Sequence, residues 1–332
     1  MDSRRVRVLA AAVLAMLACG GRGGWDLRSL EERHPALREI GGHRLADALP
    51  YFAPDSRGAV LFLCRWSTEA PIRVHLDEGL SESERSLVRK AIQAWEGAGL
   101  GLQFRAVPRD AAELEIEFLA EDPEAGPRTR SGGTVADCAI SGDFDRTPDA
   151  GPVPADLVHA SIQMRRGTQN LIGEFVPLSE EELFGALLHE LGHALGYPSH
   201  PTRGSSVMTS NVDEVRRIGR RVLAGDRFRD ATLAALYAVP SGTSVGRLEI
   251  SEDRHDELVR LSALASAAGW RGPYVRVGDR SARLFWREPD GGQARLTVDD
   301  WAQALHTADA LRLQPNARVH RLLQPPVASD SD

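Results

Sequence analysis

The chain has 332 residues, 42% of them hydrophobic and 26% charged, a balance that fits one large or two modest globular domains. Its formal net charge of −7 argues against nucleic acid as a partner.

The N-terminus reads as an export signal. Arg4, Arg5 and Arg7 precede an apolar run over residues 8–18, too short to span a bilayer. The run ends Met16-Leu17-Ala18-Cys19-Gly20, which looks like a bacterial lipobox with Cys19 as the lipidated first mature residue. Ordinary signal cleavage nearby is the alternative. Residues 1–18 are then the signal, and 19–63 a tether and candidate pro-segment with one short helical stretch over 27–38. Residues 25–60 otherwise read as polar and irregular. With Cys19 set aside, Cys64 and Cys138 form an even pair in an oxidising compartment and a candidate disulfide.

From residue 71 the pattern sharpens. Residues 72–76 alternate apolar and polar as a strand does. Ser81 and Glu84 form a capping box that starts a helix with Leu87, Val88, Ala91, Ile92 and Trp95 on one face. Strands follow at 100–107, 114–120, 132–140 and 157–165. Ser179 and Glu182 form a second capping box, and the helix it starts carries Leu183, Phe184, Leu187, Leu188 and Leu191 toward the sheet. Residues 226–239 have helical spacing. Beyond 245 the pattern predicts a helix over 253–268, short strands at 274–277, 282–287 and 294–298, and a helix over 299–311. This segment, 245–324, reads as a small α+β appendage before a disordered tail at 325–332. Trp270, Trp286 and Trp301 within it read as core in the first instance, with a ligand surface as the alternative.

The second capped helix carries His189-Glu190-Leu191-Gly192-His193, followed by Gly196, His200 and Met208. Histidines four apart lie about 40° from each other around a helix and one turn apart along it, so both imidazoles can grip one ion. Glu190 stands beside them, placed to take a proton from a water on that ion. Gly196 permits the turn that ends the helix, and the returning chain offers His200 as a third nitrogen. Three protein ligands leave a fourth position open, the pattern of a catalytic zinc rather than a structural one. A rival ligand set completes the shell with Glu214 in place of His200.

These residues resemble the metzincin clan of zinc endopeptidases, and within it the matrixin-like members, over residues 64–241. Their pattern is HExxHxxGxxH and a downstream Met-turn. His189, Glu190, His193 and Gly196 fall on it. Ser199 occupies the usual third slot and His200 comes one residue late, as a one-residue insertion at Tyr197-Pro198 would produce. Ser199 is a poor neutral zinc ligand. The resemblance implies an α+β, zincin-like catalytic domain: a twisted five-stranded mixed sheet, two long helices, the Met-turn and a last helix, with the appendage added. It implies catalytic Zn2+, a peptide or protein substrate, Glu190 as general base and Met208 as a hydrophobic floor without a chemical step. It further implies that strand 132–140 is the open edge on which substrate adds as a strand. No cysteine-switch segment precedes the domain. Relatives also place a structural-zinc ligand near His159 and calcium in acidic loops. For this chain a satisfied strand histidine, and solvated carboxylates at Asp137, Asp143, Asp145 and Asp149, stand as the alternatives. A zinc-holding surface binding protein with little turnover is the competing function, suggested by the displaced His200.

Overall fold

The computed structural model describes residues 51–55, 58–119, 132–141, 152–169, 174–197, 200, 206–248, 252–278, 281–289, 293–298 and 313–315. The signal, Cys19, the stretch 27–38, Ser199, Asp143, Asp145, Asp149, Trp301, the helix expected at 299–311 and the tail lie outside the described residues.

Strands β1 (Tyr51–Asp55) and β2 (Gly58–Phe62) form a hairpin. The sequence reading left this region irregular. The run Gly-Ala-Val-Leu-Phe of β2 is apolar without alternation, and its second partner lies some 180 residues downstream, so no local pattern marks it. Strand β3 (Ile72–Leu76) buries Ile72 and Val74. Helix α1 (Glu82–Glu96) starts at the capping box, in which the Glu84 backbone N–H donates to Ser81 Oγ and the Ser81 N–H donates to the Glu84 carboxylate. Its apolar face of Leu87, Val88, Ala91 and Trp95 lies in the core. Strands β4 (Phe104–Ala106) and β5 (Leu114–Phe118) follow, β5 burying Leu114, Ile116 and Phe118 in strict alternation.

Strands β6 (Gly132–Ile140) and β7 (Ala155–Met164) pair antiparallel along their length. Burial along β7 changes phase between Leu157 and Ala160, beside the register shift at Asp137/Cys138. One extra residue flips which face the following side chains take. Strands β8 (Gly167–Gln169) and β9 (Phe175–Pro177) make a separate two-stranded ribbon.

Helix α2 (Glu180–Ala194) starts at the second capping box and is almost wholly buried past its first turn. Helix α3 (Val212–Leu223) crosses it so closely that a Cβ on Gly219 would lie 2.7 Å from the Glu181 carbonyl oxygen and one on Gly185 2.6 Å from that of Val215. The helix expected over 226–239 is only α4 (Ala231–Tyr237), capped by Asp230, whose Oδ1 accepts from the N–H groups of Thr232 and Leu233. Its predecessor ends at Gly225, which takes φ +100°.

Strand β10 (Ser244–Leu248) then returns to β2 and completes the sheet β1-β2-β10. Helix α5 (Glu252–Ala267) and strands β11 (Arg271–Gly278), β12 (Ser281–Arg287), β13 (Gln293–Val298) and β14 (Leu313–Pro315) follow. The expected five strands β4-β3-β5-β7-β6 are present, parallel except for β6. The appendage does not build a sheet of its own. It extends this one to nine strands in the order β14-β13-β12-β11-β6-β7-β5-β3-β4. Strand β6, expected as an open edge, is therefore internal where Tyr274, Val275, Arg276 and Val277 pair with Ala139, Cys138, Asp137 and Ala136. Trp286 is buried in the core and Trp270 packs partly buried against it, in line with the core reading of both. Cys64 and Cys138 are joined by a disulfide, with Cα atoms 6.3 Å apart, tying the segment after β2 to β6.

Candidate active site

Helix α2 delivers His189, Glu190 and His193 from one stretch of backbone, and three aromatic donors fix that stretch in place. Trp95 Nε1 donates to the Leu188 carbonyl at 3.1 Å, Trp66 Nε1 to Ala194 at 2.8 Å, and Tyr237 Oη to Leu195 at 3.0 Å. The bonds to Ala194 and Leu195 satisfy carbonyls that the end of a helix leaves without intrahelical partners. Gly196, at φ +108°, turns the chain back so tightly that a Cβ there would sit 2.4 Å from the Cys64 carbonyl oxygen.

The three imidazoles meet at their Nε2 atoms. His193 Nε2 is 3.0 Å from His189 Nε2, and His200 Nε2 is 3.1 Å from His189 Nε2. Among the described residues this trio is the one group whose donor atoms gather as metal ligands do. His189 Nδ1 lies 2.6 Å from the Val207 carbonyl oxygen and His193 Nδ1 2.6 Å from that of Tyr197. A carbonyl can only accept, so each Nδ1 carries the proton and each Nε2 turns a lone pair inward. Lone pairs converging at this distance repel unless a cation lies among them. The donor set of three imidazoles suits zinc. Burial pushes His189 down to about 3, with His193 and His200 adding repulsion, while Glu190 and the Val207 carbonyl pull the other way. Burial, then His200, likewise takes His193 down to about 3. Both rings are thus held neutral, the state in which imidazole binds metal.

His200 joins the cluster despite its late position in the motif. Glu214 does not: its carboxylate receives Arg217 Nε at 2.8 Å on the surface of α3, and it is no member of the metal-ligand group.

Glu190 is buried to 7% exposure beside the trio. Thr134 of β6 donates its hydroxyl to Oε2 at 2.6 Å. A Cβ on Gly132 would lie 2.9 Å from Glu190 Cγ, so the start of β6 presses on the carboxylate. Beneath the site, Met208 is fully buried with its sulfur against Gly192, where a Cβ would come within 2.1 Å of it. Sequence reasoning missed what holds this turn. Buried Asp230 accepts from Ser206 Oγ (2.8 Å) and from the Val207 N–H (3.0 Å) through Oδ2, while its Oδ1 caps α4. Ser206 Oγ in turn accepts from the Met208 N–H, so Asp230 holds both sides of Val207, the residue whose carbonyl orients His189. Its place before an apolar helical run marks it as an N-cap, but the bond to Ser206 has no sequence signature.

A pocket of about 380 Å³ opens beside the histidines. Leu178, Ala186, Val212 and Val215 give it apolar walls, and Glu182 and Arg216, paired at 3.4 Å, give it a charged rim.

Residues 74–228 match the family model of the matrixin peptidases. This segment is similar to the matrixin peptidases. No curated protein matches the chain. The matrixin match and the histidine trio together support zinc binding and metalloprotease activity on a protein or peptide substrate. Two further expectations end differently. Asp137, offered as a calcium ligand, has no exposed surface and is bound by Arg276 and Arg287, so its oxygens face guanidinium groups rather than a loop. His159, read as a satisfied strand histidine, lies 3.8 Å from Asp137 and 3.6 Å from Glu115, and its buried Nδ1 has no hydrogen-bond partner among the described residues.

Proposed function

We propose that this protein is an exported zinc endopeptidase in which His189, His193 and His200 hold the metal through Nε2 and Glu190 is the general base. The observation that carries this reading is the convergence of three inward-facing Nε2 atoms, each of two fixed by an Nδ1 bond to a backbone carbonyl, beside a buried carboxylate and an open pocket. When bound, zinc supplies Lewis acidity, which polarises the scissile carbonyl and makes water a nucleophile near neutral pH. The protein's own residues do the rest. The Glu190 carboxylate accepts the proton of the attacking water and delivers it to the departing amine. Thr134 holds one carboxylate oxygen, so the other is the one aimed at water. Met208 packs the floor and takes no chemical step. The apolar pocket walls receive a substrate side chain, with Arg216 and Glu182 at the mouth.

Export, and anchoring through lipid on Cys19, belong to the same proposal. Disulfides persist in oxidising compartments, so the Cys64–Cys138 bridge supports the first. Incorporation of labelled palmitate that vanishes in Cys19→Ala would support the second, and equal labelling would refute it.

Cleavage of casein by the mature chain, with Glu190→Ala beside it and zinc measured in both, tests the chemistry. Cleavage lost in the variant at unchanged zinc content is the expected result. Stoichiometric zinc without cleavage in either protein would favour a zinc-holding binding protein instead.

A further inference from the structure

We propose that strand β11 sets the length of peptide the cleft accepts, by closing the outer edge of β6 beyond Val135 and so cutting short the N-terminal side of the substrate. The inference rests on the peptidase reading above and concerns a segment outside the matrixin match.

Strand β6 starts at the catalytic carboxylate, where Gly132 and Thr134 contact Glu190, and runs away from it. Its inner edge is bound to β7 throughout. On its outer edge β11 covers residues 136–139 and stops at the pair Val277–Ala136, where Gly278 turns into Ser281 of β12. Residues 132–135 have no described strand on that side, and a Cβ added at Gly133 would meet open space. An edge this long spans about 13 Å, and because alternate residues face each edge, only about two of the four offer their backbone groups to a peptide.

Direction follows from the neighbour already in place. Strand β11 is antiparallel to β6. A peptide adding antiparallel to the remaining edge lies in line with β11, with its N-terminal residues heading toward Gly278 and Ser281, the pair that closes the β11–β12 hairpin. Its C-terminal residues leave past Gly132 and are not obstructed by the hairpin.

The hairpin is a wall and not a removable lid. The fully buried Asp137 carboxylate is held by Arg276 Nε (2.5 Å), by the second Arg276 nitrogen (2.7 Å) and by Arg287 (2.9 Å). Val275, Leu284 and Trp286 are buried in the core. Lifting the hairpin would leave an unpaired buried charge and expose those side chains. Cys138, opposite Val275, is further bound to Cys64.

The test uses the full mature chain and two ladders of fluorescent peptides around one scissile core, extended stepwise to about eight residues on the N-terminal or on the C-terminal side. Cleavage is read as kcat/KM, and binding to zinc-loaded Glu190→Ala is read by polarisation. A fall of about tenfold or more in both readouts once the N-terminal side exceeds about three residues, with no such fall on the C-terminal ladder, is expected. Long N-terminal extensions cleaved and bound as well as short ones would overturn the proposal, as would a limit on the C-terminal side or no binding at any length. Length-limited binding without turnover by the wild type would uphold it while defeating the peptidase reading.

Discussion

The metal site and the outer edge of β6 lie side by side, yet they are assembled in opposite ways. His189, Glu190, His193, His200 and Met208 come from about twenty consecutive residues, and their geometry follows from one helix, one tight turn and one return. The edge is made by pairing β6 with residues about 140 positions later, through Asp137, Arg276 and Arg287. The first arrangement brings the three imidazoles and Glu190 together at little cost in chain entropy. The second, as proposed above, limits which peptides can reach them, and its parts carry no mark of each other in the sequence.

The comparison is broken most directly by removing the base. Glu190→Ala is expected to lower kcat/KM by roughly 10²–10⁴-fold without loss of zinc, since it takes away proton transfer and no ligand. Metal analysis beside casein cleavage checks it; zinc loss in the variant would make Glu190 part of the coordination shell instead. Asp137→Ala attacks the distant arrangement. It removes the buried partner of two guanidinium groups and is expected to cost about 3 kcal/mol in urea denaturation, because both arginines regain some water. A change within error would mean that the ion cluster contributes nothing to holding the hairpin.

Asp230→Ala probes the link between the two scales, since this residue caps α4 and fixes the Met-turn at once. A loss of about 2 kcal/mol is expected, with zinc affinity weakened roughly tenfold through misorientation of His189. Competition with a chromophoric chelator measures the second effect. The last prediction concerns pH. His189 and His193 are held near 3 when folded against about 6.5 when unfolded, so the unfolded chain binds more protons between those values. The metal-free protein should be insensitive above pH 7 and lose Tm by a few degrees as pH falls from about 6.5 toward 5. A Tm that stays flat, or rises, would contradict neutral buried imidazoles.

What the sequence made legible follows the same division. The capping boxes at Ser81 and Ser179 gave the starts of α1 and α2 to the residue, because a cap is a local bond. The alternation in β3 and β5 marked strands whose one face is buried. The histidine trio could be read even though His200 is displaced, because a returning loop has slack of one residue. By contrast, α3 was missed although Asn211 caps it and charges of fitting sign stand at both ends: its apolar stripe is interrupted at Gly219, where the helix needs no side chain. Thr134 and Asp230 act through partners 56 and 24 residues away, and nothing in their neighbourhood announces the bond.

Strand β10 lies on β2, with Ser244 opposite Phe62, and the Leu63 N–H and the Gly242 N–H bond across the same junction. Everything between them, including the whole metal site, is therefore a closed loop whose two ends are stitched together. A single proteolytic cut within that loop would not free either piece, since the stitched ends would still hold them together, joined covalently by the Cys64–Cys138 bridge when the cut falls between those two residues. Any shortened form trimmed at residues 64 and 241 would unpick the stitching itself, and would leave Leu63 and Gly242, the partners that fasten the first and last turns of the domain, outside the protein or at its fraying ends.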